Sequence, residues 1–242
     1  MKLDILAFGV HPDDVELSCS GSLMTEQANG KKVGIIDLTK GELGTRGTAQ
    51  IREQEAAAAA EIMGIAIREN LGMRDGFFAN DEAHQRSIIQ MIRKYKPEIV
   101  LCNAPEDRHP DHGRSAALVS DSCFLSGLRK ITTEYNGEEQ EAWRPKYVFH
   151  YIQDRYLNPD FVVDVSAVFE RKIQSIRAYS TQFHNPDLNE PQTYISAPGY
   201  LESVISRHKM FGKMIGVPFA EGFISSKMIG IQSFDALIQH AT

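Results

Sequence analysis

Apolar strand-like runs alternate with helical patterns through the first half of the chain. Leu3–Val10, Val33–Thr39, Ile65–Asn70 and Glu98–Asn103 read as strands. Helices are expected near Val15–Asn29, Thr48–Gly64 and Glu82–Tyr95, where Ile88, Ile89, Ile92 and Tyr95 share one amphipathic face. Ala56 to Ala60 falls inside the second of these, and alanine is the best helix former. Strand–helix alternation requires parallel strands joined by right-handed crossovers. The expectation is therefore an α/β protein: a Rossmann-like, doubly wound, mostly parallel sheet with helices on both faces. The second half is less regular. Lys146–Gln153 and Phe161–Val165 read as further strands, Phe169, Ile173 and Ile176 mark one helix, and Leu201, Val204, Ile205, His208, Phe211 and Ile215 mark another. No Gly/Ser/Pro linker separates the halves, so a single domain over residues 1–242 is expected. Phe183–Pro198, rich in Pro and Asn, reads as a long loop able to cover a site.

A chain of 242 residues can bury roughly 70% of its unfolded surface, so its core needs no disulfide or metal. The formal charge of −6 offers no basic block to displace counterions from nucleic acid and argues against anionic membranes. Neither partner is expected. Cys19, Cys102 and Cys123 are odd in number and widely spaced, which suits free thiols in a reducing compartment. No apolar run approaches membrane-spanning length, and Met1 to Val10 is too short for a signal peptide and broken by Asp4. A cytoplasmic protein is expected.

Two clusters carry chemistry. His11-Pro12-Asp13-Asp14 follows the first strand, and His109-Pro110-Asp111-His112 follows the fourth. In a sheet of order 3-2-1-4 those strands are neighbours, and the crevice outside their carboxyl ends is the usual ligand site. Singly, each cluster has a plain explanation: Asp-Asp after a strand suits a helix N-cap, and His-Pro suits a turn. Two such clusters on adjacent strand ends are harder to explain that way. Three His or carboxylate ligands with a position left for water is the catalytic zinc pattern, and no Cys lies in either cluster. His11, Asp14 and His112 can supply that triad. Asp13 is then left beside the metal as a base, and His109 as a non-ligating histidine. Asp111 can hydrogen-bond a ring nitrogen of His109 and fix its tautomer. Zinc would lower the pKa of its water to roughly 7 and polarise a carbonyl, while iron(II) or cobalt would suit similar ligands.

His11–Glu16 (H-P-D-D-x-E) together with His109–His112 (H-x-D-H) resembles the PIG-L/LmbE-like zinc deacetylases, which remove acetyl groups from N-acetylglucosaminyl conjugates. Both motifs are intact. The resemblance implies one Zn2+ per chain on His11, Asp14 and His112, with Asp13 as general base. It implies a histidine at His109 that stabilises the intermediate or moves a proton, and a homo-oligomer. Gly41–Thr48, Arg52–Glu55 and Tyr179–Gln182 resemble the bacillithiol-pathway members, which deacetylate N-acetylglucosaminyl malate. The other readings are a zinc hydrolase of another amide or ester, and a sugar-binding module that keeps its metal for structure. An unneeded base at Asp13 argues against the last.

Other residues carry weaker signals. Gly41, Gly44 and Gly47 are spaced G-x-x-G-x-x-G after the second strand, not as the dinucleotide fingerprint, so NAD binding is not expected. They suit a tight loop approaching a substrate. Arg46, Arg52 and Arg108 are candidates to hold a substrate carboxylate, with surface ion pairing as the alternative. Glu42 can bind sugar hydroxyls, and Tyr194 can donate to an oxyanion. His150, His184, His208 and His240 lack a second ligand at useful spacing. His208 sits on an apolar stripe as a core residue, and His84 reads as a solvated helix residue.

Overall fold

The structure is a computed structural model that describes residues 1–185 and 189–237; His240 and residues 186–188 of the Phe183–Pro198 loop lie outside the described residues. The alternation expected of the first half is present. It runs β1 (Ile5–Gly9), α1 (Asp14–Ser18), α2 (Ser20–Ala28), β2 (Val33–Thr39), α3 (Ala49–Met63), β3 (Arg68–Met73), α4 (Glu82–Tyr95), β4 (Ile99–Cys102) and α5 (Pro110–Leu125). A hairpin of β5 (Glu134–Tyr135) and β6 (Glu138–Glu139) leads to β7 (Tyr147–Tyr151), β8 (Phe161–Asp164), α6 (Phe169–Arg177), α7 (Tyr200–Ile215) and β9 (Ala220–Ser225).

One mixed, mostly parallel sheet has the order β3-β2-β1-β4-β7-β9-β8. The first five strands in that order pair in parallel, and β9 runs antiparallel to both its neighbours. The 3-2-1-4 core is as expected; β9 was not foreseen. Its short run carries Gly222, which normally weakens a strand. Here the missing side chain makes room, because a Cβ at Gly222 would lie 2.8 Å from Phe211 of α7. The helix expected over Val15–Asn29 is two helices, broken at Cys19, whose φ of −134° and ψ of 9° leave the helical region. Helix α3 begins and ends where its sequence indicates: the Thr48 side chain accepts from the Ile51 amide, and Gly64 closes it at φ 71°.

Strand side chains alternate between two apolar clusters, as a period of two demands. Ile5 and Ala7 pack with Leu23, Met63 and Ile176, while Leu6 and Phe8 pack with Ile92, Leu118 and Val119. Cys19, Cys102 and Cys123 are buried and free. Among the described residues no helix is long and apolar enough to cross a membrane.

Behind the first loop lies a buried charge pair. Lys172 Nζ is 2.8 Å from Glu221 Oε1, and neither side chain is exposed. Lys172 also donates to the Glu16 carbonyl at 2.7 Å. Glu221 in turn accepts from the amides of Gly21 (2.9 Å) and Ser22 (2.7 Å). The pair thus ties α6 and β9 to the start of α2. Removing one member of such a pair costs about 3–5 kcal/mol, because the other charge stays buried alone. Lys172→Met should lower urea-unfolding stability by about that amount, and adding Glu221→Gln should restore part of it. A loss below about 1 kcal/mol would put the pair on the footing of a surface ion pair.

Candidate active site

Strands β1 and β4 pair in parallel, Ile5 opposite Ile99 and Ala7 opposite Leu101. The loops leaving their carboxyl ends therefore lie side by side. One carries His11 to Asp13 into α1. The other ends at His109, the N-cap of α5, with Pro110 in the first turn. One ligand atom from each of His11, Asp14 and His112 lies within 4.8 Å of the others, and His11, His109 and Asp111 meet the same condition.

Hydrogen bonding separates the two trios. In the second, the Asp111 carboxylate already has a cation: Oδ1 accepts from Arg114 Nη1 at 2.7 Å and Oδ2 from the Gly76 amide at 2.9 Å, whereas no Lys or Arg among the described residues pairs with Asp14. In the first, each histidine is anchored by its far nitrogen. His112 Nδ1 meets Asp107 Oδ2 at 2.6 Å, which turns Nε2 toward Asp14 Oδ1 at 3.2 Å. His11 Nε2 meets Asp75 Oδ1 at 2.9 Å, with Nδ1 facing Asp14. Carboxylates behind histidines are the usual supports of a metal centre. The donor set fits a divalent ion with a coordination position to spare.

The electrostatics fit as well. Burial works to raise the Asp14 pKa, but the charge of His112, their hydrogen bond, His11 and Gln153 outweigh it and hold the carboxyl well below its usual range. Burial opposes the imidazolium of His112, yet Asp14 and Asp107 on either side push it up to about 10. Without an ion, a proton on His112 sits where a cation is wanted.

Asp13 stands beside this centre, buried, with a φ of 130° that a non-glycine residue adopts only under strain. Burial raises its pKa to about 7, and the Arg52 guanidinium, with Nη1 3.7 Å away, partly offsets that. His109 Nδ1 accepts from the Asp111 amide at 3.3 Å, so the ring's own proton belongs on Nε2. Burial and the neighbouring His11 and His112 lower its pKa. This corrects the role expected of Asp111. It orients His109 with its backbone N–H, and its carboxylate serves Gly76 and Arg114.

His11, Asp13, Asp14, His109 and His112 line a cleft of about 350 Å³. Arg108 and Tyr194 stand on its wall: the guanidinium lies 4.2 Å over the Tyr194 ring, and both side chains meet Asp154 at 3.3 Å. Arg52 also borders the cleft, but its Nη1 donates to the Pro12 carbonyl at 3.5 Å and its Nη2 to Gln182. Arg46 is buried away from the cleft, donating to the Phe183 carbonyl at 3.2 Å and to Glu190 at 3.3 Å. Glu42 is exposed and accepts from the Asp75 amide at 2.8 Å. The structure thus places Arg108 and Tyr194 at the cleft, and Arg46 and Glu42 elsewhere. The glycine loop does reach the cleft, which Gly41, Leu43, Gly44 and Thr45 help to line. A Cβ at Gly41 or Gly44 would lie 2.9 Å from an Arg52 nitrogen, so both glycines make room for that guanidinium.

Four residues at the centre were not foreseen: Asp75, Asp107, Asn103 and Gln153. Each lies beyond the carboxyl end of a parallel strand, β3, β4, β4 and β7 respectively. That position was the available signal. His208 is a core residue, 2% exposed.

Comparison with known proteins follows this geometry. The PIG-L family model, described as GlcNAc-PI de-N-acetylase, matches residues 6–123. A crystal structure of a conserved protein from Thermus thermophilus superimposes with a TM-score of 0.84 at 33% identity, covering 95% of this chain and 98% of that one. The uncharacterized deacetylase YaiS of Escherichia coli is 30% identical over 69% of this chain and 90% of its own. The chain belongs to the PIG-L family. Diacetylchitobiose deacetylase of Thermococcus kodakarensis is 27% identical over 90% of this chain and 81% of its own. The Bacillus subtilis protein named "Probable N-acetyl-alpha-D-glucosaminyl L-malate deacetylase 2" is 26% identical over 75% and 84%. The 4-oxalmesaconate hydratase of Pseudomonas putida is 26% identical over 74% of each chain. The malate enzyme stands no nearer than the chitobiose enzyme, so similarity carries the family and not the expected subgroup.

Because Asp14 and Asp107 on either side favour the imidazolium of His112 in the metal-free chain, an ion that binds its Nε2 displaces a proton. Zinc titration at pH 8 in buffers of differing ionisation enthalpy should show proton release, and His112→Ala should bind more weakly and release fewer protons. Equal release from both proteins would remove His112 from the ligand set.

Proposed function

We propose that the chain is a zinc-dependent N-deacetylase of an N-acetylglucosaminyl conjugate, with one ion per chain and residues 1–242 acting as one catalytic domain. The observation that carries this reading is the pairing of a buried base, Asp13, with a neutral donor, His109, around the convergent His11, Asp14 and His112. The deacetylase names of several relatives support the reaction class.

When bound, the ion supplies a Lewis acid that polarises the acetyl carbonyl and lowers the pKa of water at the site. Asp13 takes the proton of the attacking water. Burial favours the uptake of a proton by this carboxylate. His109 donates its Nε2–H to the carbonyl oxygen as negative charge collects there, and the Asp111 amide on Nδ1 keeps that tautomer. As the C–N bond breaks, Asp13 returns its proton to the departing nitrogen. Acetate and a free amine leave.

For the aglycone we infer L-malate, as in bacillithiol biosynthesis. The Bacillus subtilis relative supports it, as does Arg108, whose side chain is 43% exposed at the cleft. A guanidinium there can take a carboxylate in two parallel hydrogen bonds. The Thermococcus relative favours a second reading, a chitin disaccharide, because it matches more of the chain. Acetate release should be measured with N-acetylglucosaminyl malate, N,N'-diacetylchitobiose and N-acetylglucosamine. Fastest turnover of the first supports the malate reading, and of the second the chitobiose reading. No acetate from any of the three, by zinc-loaded protein, would overturn the deacetylase reading.

Two substitutions test the roles. Asp13→Asn keeps the shape of the side chain but cannot take a proton. Zinc content should stay, while kcat falls about 10²–10⁴-fold. Loss of zinc would instead make Asp13 a ligand. Arg108→Ala should lower kcat/KM for the malate conjugate about ten- to a hundredfold, in keeping with a charged hydrogen bond of about 1.5–3 kcal/mol. Hydrolysis of plain N-acetylglucosamine should hardly change. Equal losses on both substrates would assign Arg108 to the scaffold.

A further inference from the structure

The two oxygens of Asp14 are not equivalent. Oδ2 accepts from the Val10 amide at 2.9 Å, the His11 amide at 3.0 Å and Asn103 Nδ2 at 3.0 Å. A carboxylate offers about four acceptor positions over its two oxygens, so Oδ2 is saturated. Oδ1 accepts from Gln153 Nε2 at 2.7 Å, and its open side faces His112 Nε2 at 3.2 Å.

The amide orientations are set from behind. Ser115 Oγ donates to Asn103 Oδ1 at 3.2 Å, which leaves the Asn103 NH2 for Asp14. That NH2 also approaches Gln153 Oε1 at 3.5 Å, which leaves the Gln153 NH2 for Asp14. The Asn103 backbone carbonyl is held in turn by His150 Nδ1 at 2.7 Å. Both amides are buried, Asn103 at 0% and Gln153 at 4% exposure.

We infer that Asn103 and Gln153 are positioning residues that make Asp14 a one-oxygen metal ligand, through Oδ1. This rests on the reading of His11, Asp14 and His112 as the ligand set. Neutral donors suit the task. They stabilise the carboxylate charge in a buried place, whereas lysine or arginine would repel the ion and a further carboxylate would repel Asp14. Asn103 follows β4 and Gln153 follows β7, so β7 joins β1, β3 and β4 as a fourth strand end at the centre.

The test is metal affinity, not turnover. Zinc would be titrated into metal-free Asn103→Ala and Gln153→Met against a chromophoric chelator, with far-UV circular dichroism to confirm folding. Each should bind zinc about 10–100-fold more weakly than the parent, the usual loss for a support behind a ligand. The cobalt(II)-loaded Asn103→Ala protein should also change its visible absorption, because the Asp14 carboxylate loses the one side-chain donor on Oδ2 and can turn about the Val10 and His11 amides that remain. If Gln153→Met does not fold, Gln153→Asn, which keeps the amide but withdraws it by one methylene, replaces it and should also weaken binding. Parental zinc affinity in both variants, with an unchanged cobalt spectrum, overturns the inference. Asp14→Ala and His112→Ala serve as controls. If they lose zinc while the amide variants keep it, only the positioning role fails. If they too keep it, the ligand set itself is wrong.

Discussion

The parallel pairing of β1 with β4 is the contact on which the site depends. Each strand ends in a loop that can do little alone. His11 and Asp14 make an incomplete ligand set, and His112 has nothing to complete. Register brings them together, with Ala7 opposite Leu101 at the last paired step and both motifs beyond it. The neighbouring strand ends continue the pattern. Asp75 follows β3 and anchors His11, while Gln153 follows β7 and anchors Asp14. A loop that moved by one residue would lose its ligand and that ligand's support together.

The second constraint is charge. The cleft gathers Asp13, Asp14, Asp75 and Asp154 against Arg52 and Arg108, so it is acidic before anything binds. Burying like charges is costly unless a cation joins them. The protonated His112 is a partial answer, and a divalent ion a fuller one. The same logic runs into the interior below. The Glu16 side chain is buried against Arg68 and Tyr179, and Arg68 also pairs with Asp37 at 2.7 Å. The Glu16 of H-P-D-D-x-E thus supports the floor of the site and does not enter the cleft. It ties α1 to β2 and β3, as Lys172 and Glu221 tie α2 to α6 and β9.

Much of this was legible in the sequence, because the signals were local and periodic. Helix α4 could be placed over Glu82–Tyr95 because Ile88, Ile89, Ile92 and Tyr95 recur at helical spacing, and all four are buried. The 3-2-1-4 order followed from strand–helix alternation, and it brought the two His/Asp motifs to one edge. The failures arose where a side chain's role is decided by a distant partner. Strand β9 carries Gly222 in its middle, and its reversal follows no alternation rule. Arg46 and Arg52 read as holders of a substrate carboxylate or as surface ion pairs, yet both are buried and held by Glu190, Gln182 and two backbone carbonyls. Asp111 had the right spacing to brace His109 with its carboxylate, but Gly76 and Arg114 had claimed both oxygens.

The same principle bears on what the shorter sequence signatures report. Arg52-Glu53-Gln54-Glu55 and Tyr179-Ser180-Thr181-Gln182 resembled marks of a substrate subgroup. In the fold they are partners of one another. Glu55 accepts from the Thr181 amide at 2.8 Å and its hydroxyl at 2.9 Å, Arg52 donates to Gln182, and Tyr179 donates to Glu16 at 3.0 Å. Gly47 sits against Thr181 with no room for a Cβ. Segments locked together in this way must vary together to keep their contacts, whatever the enzyme's substrate. They therefore speak for a scaffold that steadies Pro12 and Asp13 at the edge of the cleft. Substrate preference must be read from groups that line the cleft, among them Arg108, Tyr194 and Asp154. Their mutual contacts leave the Arg108 side chain partly exposed at the cleft.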